Sequence, residues 1–133
     1  MTQAHLLVGV QFVLFALLGV AVIALPAESS GIVSIAGITL AVIGAVMGLV
    51  AIRAHSVSPN VVPTPKADAP LVQHGLYARI RHPIYTGVLL AGIGAGIAHG
   101  HPLTLLVAFA FIPFFAYKST YEERLLRERY LDY

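Results

Sequence analysis

The sequence has no cysteine, which excludes a disulfide framework, a thiolate metal site, an iron–sulfur cluster and a cysteine nucleophile. Charge is almost as scarce: Asp, Glu, Lys and Arg make up 11% of the 133 residues, where a soluble globular domain carries about 25%. Together with 58% hydrophobic residues and a mean hydropathy of +0.84, this scarcity excludes a soluble fold or a disordered chain and points to a membrane. At 14.1 kDa the chain has room for one domain. Its net charge of +2 does not imply nucleic acid, because the basic residues flank apolar spans and form no solvated basic domain.

Residues 6–25 contain no charge and a single amide, Gln11. At about 1.5 Å per residue such a run covers the roughly 30 Å hydrocarbon core. No Lys or Arg precedes it and it exceeds the apolar length of a cleaved signal, so it reads as a span. A turn at Pro26, Glu28, Ser29, Ser30 and Gly31 leads to a second uncharged run, residues 32–52, and the two are expected to form a tight hairpin. Residues 53–83 change character: Pro59, Pro63, Pro65, Pro70 and Pro83 forbid a continuous helix, and Leu71, Val72, Leu76 and Tyr77 are interleaved with charges. Two shorter apolar runs follow, residues 84–98 and 103–117, with Pro113 expected to kink the second. In the C-terminal segment, 118–133, residues 121–133 are charged and helix-prone, with Glu123 and Arg127, and Arg124 and Glu128, spaced for pairing.

The expected fold is therefore all-α: an integral membrane protein with four transmembrane helices in two hairpins, a long connector over 53–83 and a C-terminal helix outside the hydrocarbon. All eight Lys and Arg residues lie in the connector or from Lys118 onward, and the loops at 26–31 and 99–102 hold none. The positive-inside rule then puts both termini and the connector in the cytoplasm. Gly44 and Gly48, Gly92 and Gly96, and Gly96 and Gly100 have GxxxG spacing, read as close packing within one chain.

Three polar pieces stand out: Leu71-Val72-Gln73-His74-Gly75-Leu76-Tyr77, Arg81-His82-Pro83-Ile84-Tyr85, and Tyr121-Glu122-Glu123-Arg124-Leu125-Leu126. A four-helix bundle brings all three to one interface. Arginines, a histidine, paired carboxylates and tyrosines suit a compact ligand with both charge signs and an aromatic ring. S-adenosylmethionine has those features: carboxylates accept from its ammonium or ribose, a cation pairs its carboxylate, and tyrosine faces suit adenine or sulfonium.

The second and third pieces, in this order and with the paired glutamates behind an apolar hairpin, resemble the isoprenylcysteine carboxyl methyltransferase family and the related membrane phospholipid methyltransferases. The resemblance covers residues 59–133. It implies a single methyltransferase-like domain over 1–133 and S-adenosylmethionine as cofactor, with Leu71, Val72, Tyr77, His82, Pro83, Ile84, Tyr85 and Glu122 as the expected contacts. The acceptor would approach from the bilayer. An arginine four residues before the glutamate holds substrate in the prenylcysteine enzymes; here that position is Lys118, the candidate substrate-binding residue, which keeps the charge but lacks the planar fork. The catalytic group stays open, with His82 and Arg81 as candidates. The acceptor, a carboxylate, amine or thiol on a lipid-like molecule, stays open too.

Plainer roles compete at several positions. Arg79 and Lys66 read as topology determinants, and Tyr130 and Tyr133 as an interfacial aromatic belt. Glu123 reads as a solvated partner of Arg127, with Glu122 on a different side of the helix as the better ligand candidate. His99 and His101 lack the further ligands a metal would need, so no metal is expected. A non-catalytic membrane scaffold or a membrane reductase are the alternative functions. Proton-coupled transport is disfavoured, because the four apolar runs hold no ionisable residue.

Overall fold

The computed structural model describes residues 2–54 and 75–129, with the backbone alone at Tyr77 and Ala78. Four α-helices carry the fold: α1 (Gln3–Ala24), α2 (Gly31–Arg53), α3 (Pro83–His99) and α4 (Pro102–Arg129), with a 3₁₀ turn over Gly75–Ala78 before α3. Helices α1, α2 and α4 are long and apolar enough to cross a membrane; α3, at 17 residues, is apolar but shorter. The chain is a membrane-embedded, multi-pass helical bundle. Large apolar side chains are exposed all along α1 and α2, from Phe12 and Ile23 to Ile32 and Leu49, as expected where lipid is the solvent.

Helix ends follow local chemistry. The Thr2 side chain accepts from the His5 amide at the start of α1. Pro83 opens α3, where its missing donor is harmless. Before it, His82 sits at φ −128°, ψ 64°, outside the helical region that a following proline disfavours. Gly100 ends α3 at φ +80°, a left-handed cap that only glycine adopts without strain.

Packing explains the order of the bundle. The principal seam joins α2 to α3, and α4 packs between α3 and α1. Gly37, Gly44 and Gly48 on α2 meet Gly87 and Gly94 with Ala91 and Ala98 on α3, backbone against backbone. A Cβ built on Gly87 would lie 2.6 Å from the Gly48 amide nitrogen. Small residues thus convert into dispersion contact that lipid chains cannot supply. Gly92 and Gly96 face the other way, onto Phe111 and Ala108 of α4.

Three expectations change in detail. The first two helices are joined by a short turn, yet α2 packs chiefly on α3 and α1 on α4; between α1, α2 and α3 lies an apolar groove of about 610 Å³ lined by Val22, Ile38, Ala41, Ala91 and Ala95. The last span and the charged tail are one continuous helix, and Pro113 sits inside it without ending it. Gly96 and Gly100 do mark close approaches, but to two different partners: Gly96 to Ala108 of α4, and Gly100, in the turn that ends α3, to the Ser29 backbone. Where α1 and α2 fail to pack on each other, the two short loops bind: the Glu28 and Ser29 amides donate to the His99 carbonyl at 2.7 and 3.1 Å, and His99 Nε2 donates to the Leu25 carbonyl at 3.1 Å. The connector residues 55–74, including Leu71 and Val72, lie outside the described residues.

Candidate functional site

At the bundle end opposite those loops, the start of α3 meets the last third of α4. His82 is the junction. Its Nε2 lies 3.1 Å from Glu123 Oε1 and its Nδ1 lies 3.7 Å from Glu122 Oε2. Because a helical side chain leans on its neighbours in adjacent turns, two consecutive glutamates reach one imidazole only when that imidazole stands beyond the helix flank. The non-helical backbone of His82, which the following Pro83 favours, puts it there. Its carbonyl is held by the Thr86 amide and hydroxyl, both at 3.0 Å.

Glu123 collects more charge than the sequence reading assigned to it. Arg127 pairs with it at 3.8 Å, as its spacing predicts, and Arg81 pairs with it at 3.6 Å. Arg81 itself is largely exposed. Glu123 therefore organises His82 and Arg81 together, a role invisible in sequence because it depends on how α3 meets α4. Glu122 differs: its Oε2 is buried and, among the described residues, has no hydrogen-bond partner. A buried carboxylate oxygen without a donor is costly unless something else supplies one.

Behind His82 stands an aromatic ladder. The His82 and Tyr85 rings stack at 5.5 Å, Tyr85 lies 5.3 Å from Phe115, and Phe115 stacks on Phe111, which meets Phe15 of α1 at 5.6 Å. The Lys118 ammonium stands 4.9 Å from the Tyr85 ring centre. Tyr85 is thus contacted by His82, Phe115 and Lys118, and supports the site more than it offers a bare stacking face. Pro83 is fully buried, so it acts through the turn it begins, and Ile84 is half-buried in the first turn of α3. Tyr77 lies on the 3₁₀ turn just upstream. Ser119 and Thr120 return their hydroxyls to the carbonyls of Phe115 and Ala116 in their own helix, at 2.6 and 2.9 Å.

Lys118 is where the structure departs most from the sequence reading. The sequence puts it at the start of the charged C-terminal segment; in the structure it is fully buried in the bundle, donating to Gln11 in the middle of α1. Its long apolar stem packs among Tyr85 and the helices while the ammonium finds Gln11 and the face of Tyr85. Gln11 stands out in the sequence as the single amide of an uncharged run, but nothing there pairs it with Lys118.

Tyr85 and Glu122 therefore meet on a common imidazole, as a shared small ligand requires. The profile of the phospholipid methyltransferase family matches residues 32–132, which contain α2, α3, α4 and every polar group described here except Gln11. The chain is similar to protein-S-isoprenylcysteine O-methyltransferase A of Arabidopsis thaliana, 39% identical over 69 residues that cover 47% of this chain and 34% of the relative. It thus spans about a third of the length of that curated relative. No solved structure matches it. With the family profile covering most of its length, the chain belongs to the phospholipid methyltransferase family of small integral-membrane methyltransferases.

Proposed function

We propose that this protein is a methyltransferase that takes a methyl group from S-adenosylmethionine and passes it to a lipophilic acceptor in the membrane. The observation that carries the reading is Glu122 Oε2, buried beside His82 without a hydrogen-bond partner among the described residues. A carboxylate in that state suits a ligand bringing an ammonium or a ribose hydroxyl, and S-adenosylmethionine carries both. When bound, the sulfonium supplies an activated methyl: a nucleophilic atom of the acceptor forms a bond to that carbon as the carbon–sulfur bond breaks, and the electron pair leaves with sulfur as a neutral thioether.

The chain's own residues bind, orient and exclude water. Glu122 and His82 form the polar wall, with Ile84 as a further contact, and the family resemblance implies Tyr77, Leu71 and Val72 as others. Tyr85 and the buried Pro83 fix that wall's shape. Alignment and a dry cleft supply much of the acceleration for such a displacement. A carboxylate acceptor is already nucleophilic. An ammonium or thiol must first lose its proton, and His82, with Glu123 on Nε2, is the residue placed to take it. Arg81 stands beside the same carboxylate, and Lys118 is the candidate for an anionic acceptor group.

We place the site and both termini in the cytoplasm. Arg53, Arg81 and Arg127 are at the bundle end bearing the polar cluster, and the lysine- and arginine-free loops are at the other. Incubating the purified protein with radiolabelled S-adenosylmethionine and extracted membrane lipids tests the reading. Label is expected in the lipid fraction: base-labile label identifies a carboxylate acceptor, and base-stable label an amine or thiol. Absence of transfer to any lipid fraction, with label retained wholly in the donor, contradicts it.

A further inference from the structure

We propose that Gln11 of α1 is a positioning residue of the site, holding the Lys118 ammonium over the Tyr85 ring, one helical turn from Glu122. An amide in the middle of a membrane span is costly unless its polar atoms are partnered. Gln11 is half-buried and its Oε1 accepts from Lys118 Nζ. A lysine with no exposed surface is in the same position, since a buried cation needs partners on several sides. Gln11 stands on one side and the Tyr85 ring face, 4.9 Å from the nitrogen, on another. Glu122 lies one helical turn along α4, at the i,i+4 spacing that puts it on the same side of the helix. Gln11 therefore reaches His82 through two intermediates, Lys118 and Tyr85.

The segment matched by the family begins at residue 32, so α1 lies outside it. The Gln11 contact makes α1 part of the site instead of a bare membrane anchor. As a statement about ligand binding this rests on the methyl-donor reading above; as a statement about Lys118 it does not.

The experiment uses the full chain in detergent, with Gln11→Leu, Gln11→Glu, Lys118→Met and the Gln11→Leu/Lys118→Met pair. Leucine keeps the bulk and removes the acceptor, whereas glutamate keeps an acceptor and adds charge. The first readout is acylation of lysine by an N-hydroxysuccinimide ester, read by mass spectrometry as the ratio of Lys118 to Lys66, the other lysine of the chain. The second is the dissociation constant for S-adenosylmethionine. Gln11→Leu should raise the labelling ratio severalfold and weaken donor binding roughly tenfold, the loss expected for one hydrogen bond to a buried charge. Gln11→Glu should restore both, and Gln11→Leu should cost nothing further once Lys118 is methionine. An unchanged labelling ratio in Gln11→Leu overturns the proposal. So does a loss of donor binding that is just as large in the Lys118→Met background, which would mark a merely structural role. If the wild-type chain binds no S-adenosylmethionine, the methyl-donor reading fails while the labelling ratio still decides the Gln11–Lys118 link.

Discussion

Two adjacent glutamates do different things because α4 turns them towards different neighbours. Glu123 is satisfied by His82, Arg81 and Arg127, whereas Glu122 keeps a buried oxygen without a donor among the described residues. Glu122→Gln should therefore weaken S-adenosylmethionine binding roughly tenfold, as expected when a charge-assisted hydrogen bond becomes a neutral one, and equilibrium dialysis with labelled donor measures it. Tyr85 acts through its ring, which His82, Phe115 and Lys118 all touch. Tyr85→Phe should retain more donor affinity than Tyr85→Leu, and the leucine variant should lose at least roughly tenfold; the same dialysis compares them. The identities of His82, Tyr85 and Glu122 as candidates were legible from their local motifs. The hub role of Glu123 and the burial of Lys118 were not, because each depends on a partner distant in sequence, His82 in one case and Gln11 in the other.

The helices themselves were legible from uncharged runs and from Pro26, Pro83, Gly100 and Pro102 at their ends. Their partners were not. Helices that are apolar on every side, as lipid demands, carry no stripe to reveal which face turns inward, so only small residues mark the seam. Gly37 with Gly44 and Gly87 with Gly94 repeat every seven residues, two helical turns, and this spacing reports the α2–α3 contact more fully than the four-residue one. The charged residues after Tyr117 and the proline at 113 likewise hid the continuity of α4. Gly94→Ala would press a methyl group against the α2 backbone at Ala41 and Gly37. It should cost about 1–3 kcal/mol, the range for overpacking a tight interior, read as a lower unfolding temperature in detergent. Gly19→Ala, where a Cβ meets nothing within 4 Å, should be neutral or stabilising by up to about 1 kcal/mol through helix propensity.

The whole molecule is polarised. Two short loops lock together at one end through His99, and a cluster of cations and carboxylates closes the other. The absence of native cysteine makes this polarity directly measurable: a thiol introduced by Ser30→Cys should react with an impermeant maleimide from outside the cell, and one introduced by Arg129→Cys only after the membrane is opened. Labelling of both from the same side contradicts the orientation proposed here. The central claim, that a sulfonium methyl donor binds between the start of α3 and the charged part of α4, is tested most directly by calorimetric titration of S-adenosylmethionine into the wild-type protein, Tyr85→Ala and Glu122→Ala. Saturable binding to the wild type that is weakened in both variants is the predicted result. No heat with the wild type, or equal affinity in all three proteins, would contradict it.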